Sequence, residues 1–306
     1  MNVHDWSLIA FTILAQMSVG AFVILGIVHF VALRQAGEAE ASQLSNRALL
    51  AIGPVLILGM LASLFHLGSP LNAYLAITNL GSSWLSWEIF FGVIFVILGG
   101  IFAIMQWRNM ASFTARNLIA WLAALVGLGL VYAMARVYML EAQPAWNTPV
   151  TLISFYITTF LLGGLAIGAA FVANYTILRN KPDVNLEVQA QLLRDSLRWI
   201  AMLSIVLLGV VLVMMPLYVA SLSAGGPVAQ ASANLLVEEF GFLFGLRLAL
   251  VFIGAGLFAL FLYRNAITPG REQTLVTLAY AAFALVLVAE VMGRYLFYAT
   301  IVAVGI

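Results

Sequence analysis

Two ionisable side chains set the chemical question. His66 stands at the head of His66-Leu67-Gly68-Ser69-Pro70, and Glu88 closes Trp84-Leu85-Ser86-Trp87-Glu88, 22 residues further on. Each lies at the edge of a long apolar run, so an imidazole and a carboxylate meet the same face of a bilayer. Both are costly to place in hydrocarbon, and an ionisable residue there is a functional hypothesis by default. A histidine with an ordinary pKa near 6.5 and a partly buried carboxylate are suited to exchanging protons with a molecule that enters from the lipid.

The elements that hold them are apolar helices. Of 306 residues, 64% are hydrophobic and 8% charged, against about a quarter charged in a soluble domain. A spanning helix needs roughly 20 apolar residues. Eight runs qualify, near 7–33, 48–67, 85–106, 117–140, 148–178, 199–223, 241–263 and 273–300. The fold expected is an all-α integral membrane protein forming a single membrane domain over 1–306. The N-terminal sequence lacks the basic flank of a cleaved signal peptide, so the first span is expected to be retained. With no cysteine in the chain, disulfides, cysteine-ligated clusters and a thiol nucleophile are excluded.

Of the 13 basic residues, ten lie in or beside odd-numbered loops. They are Arg34, Arg47, Arg108, Arg116, Arg179, Lys181, Arg194, Arg198, Arg264 and Arg271. The even loops and both tails hold none, so the positive-inside rule places both termini outside, on the periplasmic face. The other three, Arg136, Arg247 and Arg294, fall inside spans in the outer half. Glu88, Glu141 and Glu290 lie in or near that same half. Glu290 and Arg294 are one helical turn apart, a spacing that allows an ion pair. The inner half offers His29, read as an interfacial residue bonded to a neighbour.

Haem ligation is poorly supported, because His29 and His66 lie roughly 20 Å apart in depth, and His4 with His66, geometrically conceivable, would take one ligand from an exposed tail. No His, Asp and Glu spacing suggests a metal site. Loop 179–198 divides the chain into two four-span halves, and the Glu88-Ile-Phe-Phe-Gly and Glu239-Phe-Gly-Phe segments open spans three and seven. A parallel duplication is one reading of that pattern. A secondary transporter is a rival function, with Gly163-Gly164 and Gly127/Gly129 as its candidate helix breaks.

Four segments together carry a family likeness: His66-Leu67-Gly68-Ser69-Pro70, Ser83-x-Leu85-Ser86-x-Glu88, Arg136-Val137-Tyr138 and Glu290-x-x-Gly293-Arg294-x-x-Phe297-Tyr298. In these the chain resembles, over essentially its whole length, the membrane-anchor subunit of the dimethyl sulfoxide reductase family of molybdenum enzymes (the DmsC family). The resemblance implies a protein of the bacterial cytoplasmic membrane without haem or metal of its own. It implies two partners, an iron–sulfur subunit and a molybdopterin catalytic subunit, and a quinol (menaquinol or ubiquinol) bound near the outer face. His66 and Glu88 match residues tied to quinol oxidation. Gly68, Ser69, Pro70, Ser86, Arg136, Tyr138, Arg247, Glu290 and Arg294 are the expected quinol-binding set. The same anchor working in reverse, as in sulfite-oxidising relatives, would reduce quinone instead.

Overall fold

The computed structural model describes residues 3–64, 79–108 and 110–303, and among these every regular element is helical. Eight helices are long and apolar enough to cross a membrane. They are α1 (Val3–Ala36), α2 (Glu38–Leu64), α3 (Trp84–Trp107), α4 (Phe113–Tyr138), α5 (Pro149–Leu178), α6 (Leu186–Ser223), a seventh made of α8 (Gly241–Val251), a π-helical stretch Phe252–Phe258 and α9 (Ala259–Ala266), and α10 (Glu272–Ala299). A short helix, α7 (Pro227–Asn234), and a π-helical turn, Leu235–Glu239, link α6 to the seventh span. The even number of crossings among the described residues puts the start of α1 and the end of α10 at one end of the bundle. The ten segregated basic residues gather at the other.

Helices run further than the apolar runs that announced them. The first connection shrinks to Gly37, whose φ of +86° is a left-handed conformation that glycine adopts without strain. Glu38 and Glu40 are therefore residues of α2 rather than of a loop. Likewise α6 starts at Leu186, capped by the Asn185 side chain accepting from the Val188 amide at 3.3 Å. Polar pairs hold these extensions in place. Arg116 meets Glu38 at 2.9 Å, Arg194 meets Glu272 at 2.6 Å, and Gln189 donates to Glu40 at 2.6 Å. His29 pairs with Ser45 at 3.1 Å, as an interfacial histidine should.

The core is organised around α1 and α5, the helices most enclosed by their neighbours. Gly20 and Gly163 let their backbones touch. A methyl group added at Gly163 would lie 2.3 Å from the Gly20 carbonyl carbon, and one at Gly20 would lie 1.8 Å from the Thr159 carbonyl oxygen. Close approach through small residues is how helices associate where lipid tails remove the hydrophobic driving force. The glycines offered as transporter breaks are thus packing sites in continuous helices. Gly127 seats Phe95 and Val19, and Gly129 seats Phe91. The interruption that does occur, in the seventh span, presses Gly254 onto α10 and Gly256 onto Leu208 of α6. Glu88 and Glu239, matched by the proposed duplication, sit differently: the first is buried and the second exposed.

Candidate functional site at the termini end

Six helices converge with polar side chains at the end that carries the termini. The first turns of α3 bring in Ser86 and Glu88, both buried. The last residue of α4 is Tyr138, and α10 contributes Glu290, Arg294, Phe297 and Tyr298. From α1 come Thr12 and Gln16, and from α5 Phe155 and Thr158. The seventh span adds Arg247.

The centre of the arrangement is a pair of phenols. Tyr138 and Tyr298 share a hydrogen bond of 2.8 Å. Arg294 stands one helical turn before Tyr298 on α10. Arg294 donates to Gln16 Oε1 at 3.0 Å and lies over the Phe155 ring, 3.9 Å from its centroid. A desolvated cation on a ring gains about 2 kcal/mol, part of what keeps this arginine charged where water is excluded.

Beside it stands a second group. Glu290 Oε2 accepts from Thr158 at 2.6 Å, and Glu290 Oε1 faces Arg247 Nη2 at 4.0 Å. Arg247 also donates to Met215 Sδ at 3.6 Å and crosses the bare face of Gly293. The pairing of Glu290 with Arg294 that their spacing allows is absent among the described ion pairs. Gln16 and the Phe155 ring take the Arg294 guanidinium instead, and Arg247 reaches Glu290 from another helix. One carboxylate, Glu290, and two guanidiniums are thereby gathered on one cavity, which avoids the penalty of an isolated charge.

These groups keep hydrogen-bonding capacity in reserve. At 4.0 Å the Arg247 contact is too long for a hydrogen bond. Glu290 Oε1, Arg247 Nε and Gln16 Nε2 are buried with no hydrogen-bond partner among the described residues. A cavity of about 80 Å³ opens onto Arg247, Glu290 and Arg294, walled by Trp146, Phe244 and Phe297 and edged by Thr151, Ser154 and Thr158. Such a place offers an acceptor and donors to a small molecule with hydroxyl or carbonyl groups, between aromatic walls. A loop roofs it: Trp146 stacks on Phe297 at 4.9 Å and donates to its carbonyl at 2.8 Å, while Tyr218 donates to Ala145 O at 2.8 Å.

Not every expected residue joins this cluster. Arg136 packs over Trp84, 4.9 Å from the ring centroid, and is not in the cavity wall. Glu88, Ser86 and Tyr138 are likewise absent from the cavity wall. His66, Gly68, Ser69 and Pro70 lie outside the described residues, as does the side chain of His4. Sequence reasoning missed Gln16, Thr158 and the structural part played by Phe155 and Trp146. Gln16 did leave a signal, an amide in the middle of the apolar run of α1, and it is fully buried.

Motif residues of α4 and α10 therefore meet in space through Tyr138 and Tyr298, and those of α3 and α4 through Trp84 and Arg136. Residues 1–300 match the family described as DMSO reductase anchor subunit (DmsC). The chain belongs to the DmsC family. It is 30% identical to the C subunit of the anaerobic dimethyl sulfoxide reductase of Escherichia coli (strain K12), an alignment covering 99% of this sequence and 96% of that protein. It is 29% identical to the anaerobic dimethyl sulfoxide reductase subunit YnfH of the same strain, again over 99% of this sequence and 96% of the relative. A third relative, the C subunit of the Haemophilus influenzae anaerobic dimethyl sulfoxide reductase, is 32% identical over 56% of this sequence and 60% of its own length. As a DmsC-family anchor with eight spanning helices, it is a multi-pass protein of the bacterial cytoplasmic membrane.

Proposed function

We propose that this DmsC-family anchor binds a quinol at its termini end, oxidises it, and passes the electrons to an iron–sulfur subunit of a molybdenum-dependent reductase. The observation that carries the reading is the gathering of Arg247, Glu290 and Arg294 on one aromatic-walled cavity, with hydrogen-bonding capacity unused and the Tyr138–Tyr298 pair at the same helix end. Quinol oxidation breaks two O–H bonds and releases two electrons. The protons need acceptors, and the family likeness supports His66 and Glu88 in that part. Tyr138 and Tyr298 hold and orient hydroxyl groups, while Arg247 and Arg294 supply positive charge where the ring oxygens become electron-rich. The two electrons leave to a cluster of the partner docked over the roofing loops, with the molybdopterin subunit beyond it.

Segregation of the ten basic residues at the opposite end supports a periplasmic placement of this site. Protons then leave on the side where the partner consumes them, so turnover moves no net charge. Proteoliposomes carrying the assembled complex test this. Quinol as sole donor should drive substrate reduction without generating a membrane potential. The reading fails if quinol cannot donate while a soluble dye still drives the partner subunits.

A further inference from the structure

A larger cavity lies at the arginine-rich end, away from everything above. Its volume is about 190 Å³, and α1, α2, α3 and α4 form its walls. A cavity of about 150 Å³ is enough to take a benzene ring. Four aromatic residues line it, Phe22, Phe30, Phe102 and Trp121, together with the neutral polar residues His29, Ser45, Asn46, Gln106 and Asn117. We propose that this cavity is a second binding site for a neutral, flat, oxygen-bearing ring on an apolar tail, of the quinone class.

Three features of the wall select that chemistry. First, the lining itself has no Asp, Glu, Lys or Arg. Two guanidiniums touch it from behind, but Arg116 is held by Glu38 at 2.9 Å and by Gln106 at 3.3 Å, and Arg34 lies over the Phe30 ring at 4.3 Å. A phosphate headgroup would therefore enter without a free counter-charge, at high desolvation cost. Second, the polar groups are arranged with donors to spare. Ser45 engages His29 at Nδ1, and Gln106 uses its amide nitrogen on Asn46 Oδ1 at 3.2 Å. Neither the Asn46 nor the Asn117 amide nitrogen donates a hydrogen bond among the described residues. An acyl chain would leave both of these without use. Third, the flank is open to lipid: Ile27, Phe30 and Trp121 are 54%, 46% and 68% exposed. His29 is seven residues from the end of α1 at Ala36, about 10 Å along the helix, so the polar floor sits within reach of a ring arriving from the bilayer.

Gly26 provides the clean perturbation. It lines the cavity, and a Cβ built there meets nothing within 4 Å. Gly26→Phe can therefore fill the space without displacing the fold. The ligand class is taken from the function proposed above, but the place is different, and one experiment separates the two. The purified complex is irradiated with a photoreactive quinone and the labelled peptides are identified. Wild-type protein should carry label both at the termini end and on the 22–33 or 117–124 segments. Gly26→Phe should abolish the second label while quinol-driven turnover and the first label persist, and His29→Leu should weaken the second. Label at the arginine-rich end alone would uphold this site and sink the proposed function. No label there in wild-type protein, label undiminished by Gly26→Phe, or a tightly held acyl chain that the quinone does not displace would each overturn the inference.

Discussion

Replacing Gly293 by alanine probes the contact between Arg247 and Glu290 without removing either. The new methyl would stand 2.4 Å from Arg247 Nε, 2.7 Å from Cζ and 2.9 Å from Nη2. These atoms end a flexible side chain, so the guanidinium moves and α10 does not. Restoring ordinary contact at 3.4 Å requires a shift of about 1 Å, that is 3.4 − 2.4. If that shift is away from Glu290, the 4.0 Å separation becomes about 5 Å. At an effective dielectric of about 20, the attraction falls from about 4 to about 3.3 kcal/mol. The difference, about 0.8 kcal/mol, is roughly a four-fold change in an equilibrium constant. Arg247→Met removes the charge outright, and a buried carboxylate left without its partner costs about 3–5 kcal/mol. The assay is quinol KM in the assembled complex, with dye-driven turnover as control. Gly293→Ala should raise KM, because the guanidinium it displaces lines the cavity, Arg247→Met should raise it by far more, and neither should affect the dye reaction. Equal and severe losses in both variants would refute the side-chain displacement argument. An unchanged quinol KM in both would remove Arg247 from the site.

Other consequences are as direct. Tyr298→Phe leaves the buried Tyr138 hydroxyl without its 2.8 Å partner, a loss of about 1–3 kcal/mol, to be read as a lowered thermal midpoint of the complex together with slower quinol oxidation. Gly163→Leu forces α1 and α5 apart where their backbones touch; the expected result is loss of assembled complex, measured by co-purification of the partner subunits. Because the protein has no cysteine, single-cysteine labelling reads its orientation cleanly. Ala142→Cys should react with an impermeant reagent on intact cells with a permeable outer membrane, and Lys181→Cys only after the inner membrane is opened. The reverse pattern would invert the topology.

The spans were legible because hydrocarbon permits little but helices. Of the polar residues that interrupt them, Arg247, Glu290 and Arg294 line one cavity, while Tyr138 bonds Tyr298 beside it. Partner choice was not legible. Helical spacing brings Arg294 to the same face as Glu290, yet sequence periodicity says nothing of Gln16, 278 residues away, which captures it. Nor does it show that Gly293 is small in order to let Arg247 pass. Helix ends were misjudged for a related reason. Stretch 38–47 is polar enough to read as a loop, and 186–198 shows a helical pattern but belongs to the sixth span's helix rather than to a separate connection; tertiary pairs such as Arg116–Glu38 and Arg194–Glu272 hold both in place.

The central claim is that Glu88 takes a proton from quinol, and Glu88→Gln tests it most directly. The substitution keeps shape and hydrogen bonding but removes the base, next to a phenol pair that should remain intact. Turnover of the assembled complex is measured twice, with quinol and with a dye that reduces the partner subunits directly. The account predicts a loss on the order of 10²-fold or more with quinol, matched by His66→Ala, and no loss with dye. Full quinol oxidation by an assembled Glu88→Gln complex would contradict it and leave Glu88 a structural residue.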